Sequence, residues 1–138
     1  MNILIIDGQG GGVGSRIVQS VRETFPQVTV TAVGTNALAA QAMMKAGAQR
    51  TATGENAVIV GCRTADVIIG PVGIAIADSL WREITPAMAL AVGQSSALRI
   101  LLPMNLCSIY IAGAGKTATA QLIGDCMEKL REILAEKG

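Results

Sequence analysis

Apolar runs alternate with amphipathic stretches along most of the chain. The first run, Ile3-Leu4-Ile5-Ile6, has the continuous apolar character of a central parallel strand that is covered on both faces. Similar runs predict further strands at residues 28–33, 66–70, 98–102 and 108–112, with a short, weak strand at residues 49–53.

Residues at helical spacing fill the intervals between these strands. Ile17, Val18, Val21 and Phe25 fall on one face of a first helix, which Pro26 ends. The pattern predicts further helices at residues 37–46, 56–63, 73–82, 86–96 and 116–136. The segment 56–63 also permits a strand, because it contains β-branched residues.

The alternation of strands and helices predicts an α/β fold. We expect a doubly wound, mostly parallel, Rossmann-like sheet of about six strands in a three-layer α/β/α arrangement, as a single domain over residues 1–138. Residues 103–107 are too few for a parallel crossover between the last two strands. The last strand is therefore predicted to be antiparallel.

A glycine-rich turn follows the first strand. Gly8, Gly12 and Gly14 have the spacing of the dinucleotide fingerprint in short-chain dehydrogenases, whereas the commoner G-x-G-x-x-G form fails at Val13. A Walker A loop is excluded because Ser15, and not lysine, follows the last glycine. Unpaired N–H groups at the start of the helix would bind phosphate there. The alternative is a turn that is rich in glycine only for packing.

Two further segments lie at the same predicted edge of the sheet. Ligands of open parallel sheets bind beyond the carboxyl ends of the strands, where the strand order reverses. The predicted cofactor-binding residues are accordingly Asp7, Gly8, Gln9, Gly10, Gly11, Gly12, Val13, Gly14, Ser15, Arg16, Gly34, Thr35, Asn36, Gly70, Pro71, Val72 and Gly73. The alternatives are a helix cap at Asn36 and a tight turn at residues 70–73.

The end of the second strand favours one dinucleotide over another. An NAD site commonly has an acid there, whereas this chain has Thr35 and Asn36. A 2′-phosphate is tolerated without such an acid, so NADP fits more easily than NAD. The Gly113-Ala114-Gly115-Lys116-Thr117 turn is predicted to be an ordinary helix start at the opposite edge of the sheet, and the alternative is a separate anion site.

Few side chains in this sequence are suited to acid–base catalysis. Tyr110 lacks the lysine four residues later that a short-chain dehydrogenase needs, and the chain has no histidine. Asp7 either holds a magnesium ion or orients the loop by accepting backbone N–H bonds, and the second role is the commoner one. The other candidates for acid–base chemistry are Asp78, Glu83, Lys116 and a cysteine, with Asn105 and Cys107 near the predicted cleft.

We therefore expect a nucleotide-binding or regulatory module whose glycine loop holds NADP or NAD. A small oxidoreductase dependent on either dinucleotide is the first alternative, and a structural subunit without a ligand is the second. No metal site is expected, because the three cysteines are widely separated and no histidine accompanies them.

Composition adds predictions about partners and location. Hydrophobic residues make up 51% and charged residues 15%, which predicts apolar surface buried in a homo-oligomer, most simply a homodimer. A net charge of +1 and an aromatic content of 2% argue against a nucleic-acid surface. Reduced cysteines and the lack of a membrane-length apolar run indicate a cytoplasmic protein.

Four segments together resemble a known family. They are the opening IIDGQGGGVG, the central ADVIIGPVGIAIAD, the ITPAMALAV segment and the region from ILLPMN to GAGK. Their order and spacing are similar to those of a small family of uncharacterised bacterial proteins of about this length, the domain of unknown function 3842. The resemblance implies a Rossmann-like domain of unknown function and transfers no catalytic residue.

Overall fold

The computed structural model describes residues 1–104, 106 and 108–137. The strands are β1 (Asn2–Asp7), β2 (Thr29–Gly34), β3 (Arg50–Thr53), β4 (Val67–Pro71) and β5 (Leu98–Leu102). The helices are α1 (Gly12–Thr24), α2 (Ala37–Lys45), α3 (Glu55–Thr64), α4 (Ser79–Arg82), α5 (Pro86–Gln94) and α6 (Thr119–Lys137), with a 3-10 turn at Val72–Ala75. None of the helices in these ranges is long and apolar enough to cross a membrane.

The strands form one sheet in the order β3-β2-β1-β4-β5, and every neighbouring pair is parallel. The chain moves outward from β1 to β3, returns through α3 to β4 on the other side of β1, and continues outward to β5. The strand order therefore reverses at β1, between β2 and β4, as in a doubly wound sheet. Within the described residues the sheet has five strands, so the predicted six strands and antiparallel last strand are wrong.

Each face of the sheet has its own apolar cluster. Alternate residues of β1 divide between the two clusters: Ile3 and Ile5 belong to the cluster that includes residues of α1, α2 and α6, whereas Leu4 and Ile6 belong to the one that includes residues of α3 and α5. All four side chains are almost fully buried, because helices cover both faces. This arrangement is the predicted three-layer α/β/α architecture.

The segment predicted as the last strand does not join the sheet. Leu106 and Ile109 form only an isolated antiparallel bridge, and Tyr110 between the sheet and α6 is 72% exposed. β-branched and aromatic residues favour a strand only where a neighbouring strand offers packing, and here the chain turns back on itself after β5. Asn105 and Cys107 lie outside the described residues.

The glycine–lysine turn at residues 113–117 lies at the carboxyl edge of the sheet, contrary to the prediction. α6 runs back from that edge to the amino edge, where Lys137 Nζ lies 4.0 Å from Asp66 Oδ1, just before β4. Because the described residues between β5 and α6 add no antiparallel strand to the sheet, the start of α6 stays on the side where β5 ends.

The predicted helix at residues 73–82 does not form as one continuous right-handed helix. The chain forms the 3-10 turn and then a turn in which Asp78, Leu80, Trp81 and Arg82 all have φ between 53° and 66°. Ser79 Oγ closes this segment by donating to the carbonyls of Gly73 and, at 2.7 Å, Ile76. Tertiary contacts therefore override the local preference for a right-handed helix.

The other helices agree with the sequence pattern. The segment that permitted either a helix or a strand is α3, and α5 begins as predicted, with Thr85 Oγ1 accepting from the N–H of Met88 at 3.1 Å and Pro86 in the first turn. Asn36 caps α2, because its Oδ1 accepts from the N–H of Ala39 at 2.8 Å.

Candidate functional site

A cavity of about 850 Å³ lies beyond the carboxyl ends of β1, β4 and β5. Its wall comes from the loop after β1, the connection from β4 to α5 and the segment after β5. The lining residues are Gln9, Pro71, Ala77, Asp78, Ser79, Leu80, Trp81, Arg82, Met104, Leu106, Ser108 and Ile109. The cavity therefore adjoins the point where strand order reverses, which is the usual ligand position in such sheets.

Asp7 ends β1 and organises the glycine loop. Its Oδ1 accepts from the N–H of Gly8 at 2.8 Å and its Oδ2 accepts from the N–H of Gly14 at 2.6 Å. The carboxyl group thus ties both ends of the loop together, which is the loop-orienting role expected from the sequence. No group of three or more potential metal-ligating side chains occurs among the described residues.

The surroundings of Asp7 raise the pKa of its carboxyl above the usual 3.8. Burial is the largest cause, because it disfavours the charged form, and the negative charge of Glu83 acts in the same direction. The hydrogen bonds from the amides of Gly14 and Gly8 lower the pKa, but they do not compensate for burial. The loop therefore contains an acid that is unfavourably desolvated when ionised.

A second acid, Glu83, reaches the loop from the connection between β4 and α5. Its Oε1 accepts from the N–H of Gln9 at 2.7 Å, and its Oε2 accepts from Nδ2 of Asn36 at 2.6 Å. Nδ2 of Asn36 also donates to the carbonyl of Gln9 at 2.9 Å. These contacts join the ends of β1 and β2 to the β4–α5 connection.

Gly8 makes room for these contacts. A Cβ atom at this position would lie 2.6 Å from Thr35 Oγ1 and 3.0 Å from Glu83 Oε1. Thr35 Oγ1 is buried and has no hydrogen-bond partner in the described part of the chain. The space that the sequence offered to a ligand at Gly8 is therefore filled by the protein's own side chains.

The first half of the loop is occupied, but the start of α1 is not. The amides of Gly8, Gln9, Gly11 and Gly14 all donate to protein oxygens. Over the described residues, the amides of Gly10, Gly12 and Val13 have no hydrogen-bond acceptor, and a Cβ at Gly10 or Gly12 would meet nothing within 4 Å. Open space and free donors thus coincide at the first turn of α1.

The predicted site residues come together at this edge, but few of them face the cavity. Only Gln9 and Pro71 line it. A Cβ at Gly70 would lie 2.4 Å from the carbonyl oxygen of Ile6, and one at Gly73 would lie 3.0 Å from Ser79 Oγ. The space beside these two glycines is therefore filled by protein atoms, as in the alternative of a tight turn at residues 70–73.

Sequence reasoning missed most of the cavity wall. Of the wall residues, the sequence indicates Asp78 only as a possible acid and places Trp81, which is 75% exposed, in a predicted helix. A usable signal was present, since the one tryptophan of the chain follows a strand that ends at the ligand edge. Asn105 and Cys107, also predicted near the cleft, lie outside the described residues.

Fold and site together define an α/β protein with a doubly wound parallel sheet and a cavity at the strand-order reversal. The chain belongs to the family described as Domain of unknown function (DUF3842), whose model matches residues 2–135. No curated protein sequence matches the chain.

A solved structure of similar fold is the dodecameric FMN-dependent UbiX-like decarboxylase from Escherichia coli O157:H7. The two are 17% identical, the match covers 94% of this chain and 75% of that one, and the TM-score is 0.50. At this identity the likeness concerns the fold.

The predicted function and cofactor need correction. We expected NADP or NAD in the glycine loop, in a binding module or an oxidoreductase, but the solved enzyme of this fold depends on FMN. The contacts within the loop agree with this correction, because Glu83 already occupies the amide of Gln9 and Asp7 occupies those of Gly8 and Gly14. The nicotinamide dinucleotide prediction is therefore wrong.

Proposed function

We propose that this chain binds a flavin mononucleotide, with the phosphate at the start of α1 and the ring system in the adjoining cavity. The observation that carries the proposal is the cavity of about 850 Å³ at the reversal of strand order, bordered by the glycine loop. Its volume falls within the range of small-molecule sites in proteins. The FMN dependence of the solved enzyme of this fold supports the choice of ligand.

The phosphate position follows from the free donors. The amides of Gly10, Gly12 and Val13 lie in the first turn of α1 or just before it, where the helix dipole favours an anion. Arg16, which is exposed in the same helix, adds a positive charge. A single phosphate has enough oxygen atoms to accept from these three amides.

The cavity wall suits an aromatic ring with polar edges. Leu80, Trp81, Leu106 and Ile109 contribute apolar surface, and Asp78 and Arg82 contribute hydrogen-bonding groups. Flavins present donors and acceptors at the ring edge, and the bound ring supplies electron-transfer or hydride chemistry. This chain's residues would hold and orient the ring and exclude water from one of its faces.

The test uses the tryptophan of the cavity wall as its probe. Trp81 is the one tryptophan of the chain, so a flavin bound beside it will quench the intrinsic fluorescence. We expect saturable quenching by FMN and a stabilisation of about 2.7 kcal/mol at a concentration near 100 times Kd. NADP and riboflavin serve as comparison ligands, and an FMN titration without quenching or thermal shift contradicts the proposal.

A charge placed at the start of α1 tests the phosphate position. Gly12→Asp adds an acid to the first helical turn, which is favourable for the helix but repels a phosphate. We expect FMN affinity to fall about tenfold or more while riboflavin affinity stays unchanged. Gly124→Asp in α6 adds the same charge where a Cβ also meets nothing within 4 Å, and it should leave both affinities unchanged.

We further propose that the chain forms a homo-oligomer in the cytoplasm. Exposed apolar side chains at several surface positions support self-association, namely Leu38, Met44, Val60, Leu90 and Leu98. The buried, unpaired thiols of Cys62 and Cys126 support a reducing compartment. Light scattering on the purified protein tests the assembly, which a particle of 14.2 kDa would contradict.

A further inference from the structure

We propose that Glu83 restricts the site to ligands with a single phosphate and excludes diphosphates. The inference rests on the proposed function and names the ligand class more narrowly. Its basis is the position of the Glu83 carboxylate, which is bonded to the loop at the amide of Gln9 and to the cap of α2 at Asn36.

The supply of donors limits the number of phosphates. A diphosphate on a glycine loop needs main-chain donors along the loop as well as at the helix start. In this chain, Asp7 takes the N–H groups of Gly8 and Gly14, and Glu83 takes that of Gln9. In the described chain, the amides without a protein acceptor are those of Gly10, Gly12 and Val13. Three free donors are enough for one phosphate group but not for two.

Charge acts in the same direction as donor supply. A second phosphate at the first half of the loop would meet Glu83 on one side and Asp7 behind it, and the negative charge of Glu83 already contributes to the raised pKa of the Asp7 carboxyl. Like charges at such short range repel each other strongly in a partly desolvated site. A phosphate at the start of α1 is farther along the loop and faces amides instead.

The backbone around Glu83 keeps the carboxylate in place. The N–H of Asp78 donates to the carbonyl of Ile84 at 2.6 Å, and the N–H of Ile84 donates to the carbonyl of Ser79 at 3.2 Å. These bonds close the turn that precedes Glu83, and Ser79 is buried. These bonds fix the backbone of Glu83 beside the loop, and displacement of its carboxylate would break the hydrogen bonds from Gln9 and Asn36.

The experiment compares FMN with FAD, which share the ring and the ribityl chain but differ in carrying one phosphate or a diphosphate. Kd values are measured from Trp81 quenching for the native chain, for Glu83→Gln and for Glu23→Gln. Glu83→Gln keeps the side-chain shape and removes its charge. Any steric penalty for the larger FAD is therefore the same in both proteins, and a change in the ratio of the two Kd values reports the charge. Glu23→Gln removes the same charge from an exposed position near the far end of α1.

We expect the native chain to prefer FMN and the preference to shrink about tenfold in Glu83→Gln, with no change in Glu23→Gln. A preference for FMN that Glu83→Gln leaves intact overturns the inference but not the proposed function. If Glu83→Gln does not fold, the native chain decides, because Coulombic exclusion is screened by salt. If the ratio of the Kd for FAD to the Kd for FMN, measured on the native chain, does not fall with rising ionic strength, the inference is overturned.

A second pair of probes separates the inference from the proposed flavin. Thermal shifts are measured with inorganic phosphate and inorganic pyrophosphate on the same three proteins. Stabilisation by pyrophosphate that appears only in Glu83→Gln supports the role of Glu83 even if neither flavin binds. If neither flavin binds and neither anion shifts any of the three proteins, both the proposed function and the inference fail.

Discussion

The loop after β1 and the connection from β4 to α5 lie side by side at the carboxyl edge, yet they are built in opposite ways. The loop has an unmistakable sequence pattern of five glycines, and Asp7 and Glu83 accept hydrogen bonds from three of its amides. The connection has the sequence of an ordinary apolar helix, yet it forms a left-handed turn and supplies much of the cavity wall.

This difference shows that a glycine-rich motif does not by itself identify the ligand surface. Gly8 and Gly14 would place a Cβ 2.7 Å or less from other protein atoms, so they serve packing within the loop. Chain segments that adopt strained conformations, such as the turn ending at Arg82, are commonly found at functional sites. The candidate ligand surface thus combines the glycine loop, which has a recognisable motif, with the connection from β4 to α5, which has none.

The largest expected effect on stability comes from replacing Asp7, the acid that holds the two ends of the glycine loop together. Asp7→Ala leaves the buried amides of Gly8 and Gly14 without their acceptors, and each lost partner costs about 1–3 kcal/mol. Relief of the desolvated charge offsets part of this loss. We expect the free energy of unfolding to fall by about 3 kcal/mol in urea denaturation.

The pH dependence of the same acid sharpens this prediction. A raised pKa means that the folded state holds the proton more tightly than the unfolded state, so the contribution of Asp7 is greatest below the usual value of 3.8. That contribution decreases as pH rises through the folded-state pKa. The stability difference between the native chain and Asp7→Asn should therefore shrink over this range, and a difference that grows would show that the amide hydrogen bonds outweigh burial.

A pair of glycine substitutions compares the two regions directly. Gly70, where β4 leads into the connection, has no room for a side chain, because a Cβ would lie 2.4 Å from the backbone oxygen of Ile6. Gly10 in the loop has nothing within 4 Å and no left-handed φ. We expect Gly70→Ala to lose about 2 kcal/mol of stability and Gly10→Ala to change it by less than about 0.5 kcal/mol.

Thermal unfolding of both variants measures this contrast. Equal losses would mean that the open space at Gly10 is absent in solution. Equal stability would mean that β1 and β4 separate easily enough to admit a methyl group. Either result would remove the distinction between glycines that serve packing and glycines that leave room for a ligand.

Much of the fold could be predicted from the sequence because its signals are local. The apolar run of β1, the face of α1 that contains Ile17 and Val21, and the Thr85-Pro86 start of α5 each specify their element within a few residues. The segment 108–112 was hard to interpret because strand-forming residues need a neighbouring strand, and in the described part of the chain this segment forms an isolated bridge to Leu106 instead of joining the sheet. The predicted helix at residues 73–82 failed for a related reason, since distant contacts hold that segment in its turn.

The candidate site was less predictable because its main contact, the hydrogen bond between Gln9 and Glu83, joins residues that are far apart in sequence. Gln9 and Glu83 are separated by 74 positions in sequence, and no periodic pattern connects a loop amide to a carboxylate at that distance. The sequence has Thr35 and Asn36, and no acid, after β2. The structure brings an acid to that place from another segment, through the hydrogen bond between Asn36 and Glu83.

The smallest expected effect tests whether the connection is strained. Arg82 is exposed and has φ of 66°, a conformation that costs a residue with a side chain roughly 1–2 kcal/mol but costs glycine little. Arg82→Gly should therefore raise the free energy of unfolding by about 1 kcal/mol. Arg131→Gly makes the same chemical change in the ordinary helical backbone of α6, where it also removes the contact with Phe25. That control should lose about 1 kcal/mol or more. Because the two substitutions are expected to act with opposite signs, urea denaturation distinguishes them clearly, and a loss of stability in both would show that the turn at Arg82 is unstrained.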